Sequence, residues 1–192
     1  MFEGHEFDSN MHEEYSDEDC NSVHFVGQRI YLVRTCHLFY TTYDLQWDSD
    51  TINPWTHPNI MLRSPEKEEG AEAYWYARVI GIYHANVWVD RTDIPDAHRV
   101  KRMDFLWVCW FRKELEYISG SHRAHLPKVG FVESTDEFVF SFIDPVIVIH
   151  GCHLIPAFYE GHTIDLLPVP QSISQCLNPG DDDNWVNFYV NM

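Results

Sequence analysis

The sequence predicts a mainly β fold, and three observations support this prediction. Two apolar, aromatic runs, Tyr74–Val89 and residues 103–111, flank a polar loop, and they are rich in the residue types that favour paired strands. No segment longer than about ten residues carries an apolar period of 3.6 residues. Turn-forming residues separate many short β-like runs. We therefore predict a small, partly open barrel of short antiparallel strands with long loop insertions.

The predicted strands follow one another along residues 23–35, 37–47, 59–62, 74–89, 103–111, 128–132, 137–143, 146–150 and 154–158. Residues 48–58 are expected to break the sheet because they contain Asp, Ser, Asn and two prolines. Gly81, in the middle of the longest run, predicts a bulge or a bend.

Charge divides the chain into three predicted parts. The net charge is -17, and residues 1–22 hold eight acidic residues but no Lys or Arg. We expect residues 1–22 to be an acidic disordered head, because they offer little apolar surface to offset the entropy of ordering. Residues 23–167 form the predicted β-rich domain, and residues 168–192 an irregular tail with an aromatic C-terminal segment. A strongly acidic chain is repelled by phosphates, so nucleic-acid binding over most of the surface is not expected.

The five cysteines are widely spaced and odd in number, which argues against a disulfide framework. Residues 1–10 lack the features of a secretory signal, and no apolar run is long enough to span a bilayer. We predict an intracellular protein of the nucleus or the cytoplasm with no membrane partner. The sequence predicts neither a cofactor nor an oligomeric state.

One segment is locally basic. Residues 91–128 contain eight basic and five acidic residues, which permits either an anion-binding patch or an ordinary surface of mixed charge. The predicted basic patch consists of Arg99, Lys101, Arg102, Arg112 and Lys113.

Metal and nucleophile chemistry has candidates in the sequence, but none follows an established pattern. His150, Cys152 and His153 are metal-ligand types, and Cys36 with His37 could add further ligands from another strand. Adjacent residues of a strand point to opposite faces, so a shared ion would need a bulge at Gly151. A buried thiol beside partly exposed imidazoles is the alternative, and no metal site is predicted. Cys109, within an apolar strand, is expected to be an inert core residue.

Aromatic side chains are the remaining candidate site. Rings around a concave pocket can hold a methylated ammonium group by cation–π attraction, although alternation along a strand buries about half of such rings. The predicted binding residues are Tyr74, Tyr76, Trp88, Trp107 and Trp110.

Several runs resemble a family of fungal proteins associated with Kyakuja-Dileera-Zisupton-type DNA transposons. They are YWYARVIGI at 74–82, MDFLWV at 103–108, WF at 110–111, GFV at 130–132, FIDP at 142–145 and HLIPAF at 153–158. The resemblance spans roughly residues 37–192 and implies no established activity. A shorter similarity, to the bromo-adjacent homology domain, implies a β-rich module that binds a peptide or chromatin protein.

The chain departs from the fungal pattern at Trp55, Cys109 and His150, where that family has arginine. Single C-to-T or G-to-A changes in CGN codons produce these three residue types. Longer members of the family also continue beyond a Tyr-Val-Asn-Met segment, where this chain stops. One hypothesis is therefore a shortened, decaying copy of a transposon-associated gene with no specific activity.

Two functional classes remain open from the sequence. The first is a noncatalytic interaction module that binds a basic or methylated peptide through the Tyr74–Phe111 region. The second is a metal-assisted hydrolase or nuclease-like enzyme that uses the His, Cys and Asp residues, which would have to converge in one pocket.

Overall fold

The computed structural model describes residues 16–41, 46–65, 73–91, 98–114, 117, 125–132, 136, 138–163 and 185–191. Within these ranges the chain forms one short α-helix, two 3-10 helices at Pro145–Ile147 and Phe158–Glu160, and eleven β-strands. The α-helix and the strands are numbered in chain order. They are α1 Asp17–Asn21, β1 Val23–Val33, β2 Cys36–Thr41, β3 Trp47–Ile52, β4 Asn59–Arg63, β5 Tyr74–Val89, β6 Lys101–Lys113, β7 Lys128–Phe131, β8 Phe140–Ile143, β9 Val148–Gly151, β10 His153–Pro156 and β11 Asn187–Asn191.

The main sheet is built around the long β5–β6 hairpin. Its strand order is β10-β11-β7-β6-β5-β4-β9, with β1 paired to the distal half of β5 and β8 paired to β6. A second, two-stranded sheet is formed by β2 and β3. Every pair is antiparallel, so the predicted mainly β, antiparallel fold is confirmed.

The main sheet is strongly curled. The strands β9 and β10 lie at opposite ends of the seven-strand path, yet Cys152 alone separates them in sequence. Seven strands laid flat would place these edges about 29 Å apart, whereas adjacent segments of one chain are only a few ångströms apart. The sheet must therefore bend round on itself. The strands β9 and β10 are not paired with each other, so the sheet is not closed into a barrel.

Gly81 produces the predicted bulge in β5. The register of the β5–β6 pair shifts between Val79 and Gly81, so one extra residue is inserted into β5. The ring of Tyr83 lies against Gly81, and a Cβ atom at this position would be 2.5 Å from Tyr83 Cε2. A side chain at residue 81 would displace that ring.

Two hydrophobic cores occupy the two faces of the β5–β6 hairpin. The first lies between the main sheet and the β2–β3 hairpin and contains Leu38, Ile52, Ile60, Leu62, Ala77, Val79, Ile82, Leu106, Val108, Ile143 and Val148. The second lies inside the curl and contains Met61, Tyr76, Cys109, Phe111, Val129, Phe131, Val139, Cys152, Phe188 and Val190.

The strand β3 corrects the prediction that residues 48–58 break the sheet. Its central residues are polar, but Ile52 is buried in the first core. The Asp50 carboxylate accepts a hydrogen bond of 2.8 Å from the backbone N–H of Gly151 on β9. These tertiary contacts outweigh the low strand propensity of Asp and Ser.

Part of the predicted disordered head is helical. Ser16 caps α1, and its side chain and that of Asp19 form a reciprocal capping box. Arg91, at the end of β5, forms an ion pair with Asp19 and so attaches α1 to the sheet. The remainder of the head, residues 1–15, lies outside the described residues.

The aromatic C-terminal segment of the predicted tail forms a strand of the main sheet. The strand β11 pairs with β7 on one side and β10 on the other. Alternation buries Phe188 and Val190 in the second core, which is why this short segment is ordered. Residues 164–184 lie outside the described residues. In the described ranges no helix has the length and apolar character needed to cross a membrane.

Candidate functional site

Five aromatic rings form a continuous row on one face of the main sheet. Tyr83 stacks on Phe105 with 5.7 Å between ring centroids, and Phe105 contacts Phe142 edge to face at 5.5 Å. Phe142 in turn contacts Trp107 at 4.4 Å, and Trp107 stacks on Phe140 at 5.7 Å. These distances are typical of favourable ring pairs. We call this set the aromatic row.

The aromatic row is partly open to solvent. Phe142 remains 62% exposed. Leu32 on β1 pairs directly with Tyr83, so its side chain lies on the same face, and it remains 65% exposed. Together with Ile30 on β1, which is also exposed, these side chains extend the row into an apolar surface across four strands.

Strand alternation explains how the row forms. On β6, Trp107 points to the row while its neighbours Leu106 and Val108 are buried in the first core. On β8, Phe140 and Phe142 point to the row, and Ile143 points to the first core. Apolar residues at every position of these strands therefore supply a core on one face and an aromatic surface on the other.

Of the five predicted binding rings, Trp107 is the one that belongs to the aromatic row. Trp110 is three residues further along β6 and so points to the opposite face. There it contacts Trp75 edge to face at 5.6 Å, and its Nε1 donates a 2.6 Å hydrogen bond to Ser141 Oγ. These two tryptophans cannot line one pocket.

The other three predicted rings are also dispersed. Tyr76 is buried in the second core, and Tyr74 lies at the start of β5 with 42% of its surface exposed. Trp88 lies at the far end of β5, where it stacks on His24 with a centroid distance of 4.5 Å. The five rings therefore do not converge on a common pocket.

The predicted basic patch is divided between the two ends of β6. Lys101 and Arg102 begin the strand, and Arg112 and Lys113 end it, which separates them by about 30 Å. Arg99 is exposed just before the first end. The first end also contains acids, because Lys101 and Arg102 line a cleft of about 680 Å³ together with Asp104 and Asp144. Arg102 forms a 2.7 Å ion pair with Asp104.

A cage of aromatic rings does exist, but it holds one of the protein's own cations. The guanidinium carbon of Arg78 lies 4.8 Å from the Phe131 ring centroid, 5.6 Å from that of Phe188 and 5.7 Å from that of Phe111. Arg78 is buried, and its Nε donates a 3.3 Å hydrogen bond to Asn59 Oδ1. A ligand cation would therefore have to use the aromatic row rather than this cage.

The thiols of Cys36, Cys109 and Cys152 are unsuited to nucleophilic attack. Burial raises the pKa of Cys152 to about 12. Burial likewise raises the pKa of Cys109 to about 12, although the charge of Arg78 acts in the opposite direction. The pKa of Cys36 is also raised, by burial and by the negative charge of Asp104. All three are protonated at neutral pH, and a thiol reacts through its thiolate.

The candidate metal ligands are separated from one another. His150 Nδ1 contacts the carbonyl oxygen of Gly151 at 2.5 Å, and His37 Nδ1 contacts Thr51 Oγ1 at 3.1 Å. Cys152 is buried, whereas His153 is exposed. Among the residues described by the structure, no three His, Cys, Asp or Glu side chains are grouped closely enough to enclose a metal ion.

Most of the aromatic row was missed by sequence reasoning. The alternation of Phe138, Phe140 and Phe142 is a period-2 signal that could have identified a one-sided aromatic strand. No local signal identifies Tyr83 and Phe105 as members, because their position depends on the bulge at Gly81 and on the pairing of β5 with β6.

Comparisons with protein-family models, with curated proteins and with solved structures give no significant match to this chain.

Proposed function

We propose that this chain is a noncatalytic protein-interaction module that binds a basic peptide on the aromatic row, with a lysine or methylated lysine against the rings. The observation that carries the proposal is that the exposed side chains of Phe142 and Leu32 and the partly exposed ring of Trp107 lie on one sheet face. Contiguous exposed apolar side chains rimmed by polar residues often mark protein-interaction sites. Aromatic residues are also enriched at protein interfaces.

The geometry of the rings supports a cationic ligand. The planes of Phe105 and Phe142 meet at 81°, and Trp107 adjoins Phe142 at a centroid distance of 4.4 Å. Rings at a steep angle form two walls, against which an ammonium group can contact more than one π face. The net charge of -17 adds a long-range attraction for a basic partner.

The rival interpretation, a metal-assisted hydrolase or nuclease-like enzyme, has less support. The high pKa values of Cys109 and Cys152 disfavour a thiolate nucleophile at neutral pH. The aromatic row itself contains no acid, base or nucleophile other than the Tyr83 hydroxyl. An interaction module is therefore the function that the described residues support best.

The biological setting of the proposal rests on the two resemblances. Kinship with transposon-associated fungal proteins and with the bromo-adjacent homology domain would make the partner a chromatin protein, such as one with a basic tail. This setting would place the protein in the nucleus, and it is part of the proposal.

The experiment is calorimetric titration of the full chain with a lysine-rich peptide in unmethylated and trimethylated forms. We expect Trp107→Ala and Phe142→Ala to weaken binding by about tenfold or more, as is typical of aromatic residues at an interface centre. Phe39→Ala is the matched control, because Phe39 is an exposed strand phenylalanine on the separate β2–β3 sheet. Failure of both peptides to bind, or equal losses in all three variants, would overturn the proposal.

A further inference from the structure

We propose that His57 and His153 form a binding site for one divalent transition-metal ion of the zinc, copper or nickel type. This site is independent of the aromatic row and of the proposed peptide binding. The two imidazoles come from separate parts of the sequence and meet at the edge of one polar cleft. Their ring centroids are 6.2 Å apart, and the rings are inclined at 74°.

His57 is held in place by a tight turn between β3 and β4. Its backbone N–H donates to the carbonyl of Asn53 at 3.0 Å, and its own carbonyl accepts from the N–H of Asn53 at 3.1 Å. Its Nδ1 lies 3.1 Å from Thr56 Oγ1. In the tautomer whose Nδ1–H donates to this hydroxyl, Nε2 keeps its lone pair for a metal, as in many metal sites where a second group orients the histidine.

His153 lines the same cleft from a different part of the fold. It is the first residue of β10, and its backbone pairs with Asn191 of β11, so its Cα position is fixed by the sheet. Its side chain is exposed and can rotate. One ligand is thus anchored by a turn, and the other is mobile on a rigid strand.

The ring separation matches the reach of a single ion. A metal–nitrogen bond of about 2.1 Å and a nitrogen-to-centroid distance of about 1.1 Å place each centroid about 3.2 Å from the ion. Two rings on one ion can therefore be at most about 6.4 Å apart, and they are about 5.2 Å apart at a tetrahedral angle. The observed 6.2 Å lies within this limit, and an approach of about 1 Å by the exposed ring of His153 would bring the centroids to the separation expected at a tetrahedral angle.

The cleft provides space and negative charge beside these rings. It has a volume of about 470 Å³, and its lining includes His57, His153, Asp50, Asn53 and Asn59. Asp50 is the one carboxylate among the described residues that line the cleft, and a carboxylate favours a cation over an anion. Since two imidazoles converge among the described residues, water would complete the coordination, which makes the site open and exchangeable rather than a closed structural site.

Imidazole nitrogen selects the type of ion. Zinc, copper and nickel bind imidazole well, whereas magnesium and calcium prefer sets of oxygen ligands.

The experiment is titration of the full chain with Zn²⁺, followed by calorimetry and by NMR of the histidine ring signals. We expect saturation at one equivalent, with simultaneous shifts of the His57 and His153 rings and no response to Mg²⁺. His57→Ala and His153→Ala should each reduce the affinity at least tenfold, and the double variant should abolish this binding event.

The chain has twelve histidines, so a matched control is essential. His37→Ala should leave the affinity unchanged, because His37 lies on β2 outside the lining of this cleft. The proposal is overturned if the double variant binds Zn²⁺ as tightly as the parent chain, or if the shifted rings belong to other histidines. Circular dichroism of each variant would establish that the fold is retained.

Discussion

The guanidinium carbon of Arg78 lies 4.8 Å from the centroid of the Phe131 ring, inside the curl of the main sheet. Arg78 is on β5 and Phe131 on β7, and β6 lies between these strands. The contact therefore spans the concave side of the sheet and connects strands that share no hydrogen bonds. Phe188 of β11 contacts the same guanidinium, so one side chain joins three strands of the second core.

Removing the charge of Arg78 tests what this contact contributes. Arg78→Met retains most of the buried volume but loses the attraction to the rings, which is worth about 2 kcal/mol for a desolvated pair. We expect urea denaturation to report a loss of stability of this size. Arg63→Met, at the exposed end of β4, is the control and should change stability by less than about 0.5 kcal/mol. An Arg78→Met variant as stable as the parent would mean that desolvation of the guanidinium cancels its ring contacts.

Acidic pH should destabilise the region around β7 and β11. Burial alone would raise the pKa of Glu160, but hydrogen bonds from Lys128, Tyr159 and Asn187 and the charge of Lys128 lower it overall. A carboxyl group whose pKa is lower in the folded state stabilises the fold above its unfolded pKa of about 4.3, and this contribution disappears as the pH falls through the folded value. We expect the stability of Glu160→Gln to vary less than that of the parent chain between neutral pH and pH of about 3.

Alkaline pH should also destabilise this region, because Lys128 then loses its charge. Burial lowers the pKa of Lys128, but its hydrogen bonds to Glu160 and Tyr159 and their charges raise it overall. Its contribution is thus fully present below the unfolded pKa of about 10.4 and is lost as the pH rises through the folded value. If the free energy of unfolding depended on pH equally in the parent chain and in Glu160→Gln, the pair formed by Lys128 and Glu160 would not contribute to stability.

Thiol labelling should distinguish the cysteines. Cys109 and Cys152 are buried with pKa values of about 12, whereas Cys20 is exposed. We expect brief treatment of the native chain with iodoacetamide at pH of about 8 to label Cys20 and to spare both buried thiols, because the thiolate is the reactive form. Peptide mass spectrometry measures the extent of labelling, and the same treatment in urea should label all three. Rapid native labelling of Cys109 or Cys152 would revive the nucleophile interpretation.

The bulge at Gly81 should couple energetically to Tyr83. Gly81→Ala places a methyl group where the Tyr83 ring now lies, and displacement of the ring also disturbs its stacking on Phe105. We expect a loss of about 1–2 kcal/mol, the usual range for overpacking. In a Tyr83→Ala background the same substitution should cost distinctly less. Additive losses in the double variant would show that the strain lies elsewhere.

Substitution of Cys109 by arginine tests the hypothesis of a decaying copy. Cys109 pairs with Arg78 across β5 and β6, so Cys109→Arg would place two guanidinium groups together in the second core. We expect a loss of more than about 3 kcal/mol because an uncompensated buried charge is strongly destabilising. Trp55→Arg, at an exposed turn, should be tolerated. Thermal unfolding measures both variants, and a stable Cys109→Arg chain would favour arginine as the ancestral residue.

The sequence predicted where most strands occur, but it did not predict the tertiary contacts that those strands make. Tyr74–Val89 matches β5 at both ends, and the bulge at Gly81 was visible because glycine interrupts a dense β-branched run. In contrast, β3 was missed because its polar residues have low strand propensity, and only the contacts of Asp50 and Ile52 reveal why it forms.

For the two candidate sites too, the sequence identified some of the residues but not which of them lie together. Sequence reasoning included Trp107 but grouped it with Trp110, which alternation along β6 places on the opposite face. It did not link His57 with His153, because no local pattern connects residues that are far apart in the chain.

By itself, the sequence determined the β class of the fold, the position of its longest strand and the uneven distribution of charge. Each of these follows from residue types within a short window, where side-chain shape and backbone freedom act locally. Only the tertiary structure decided that Cys152 joins the two edges of a curled sheet, that Arg78 fills the aromatic cage, and that partly exposed rings form a row. These features depend on contacts between distant segments, and their free energy is gained only after the whole sheet has assembled.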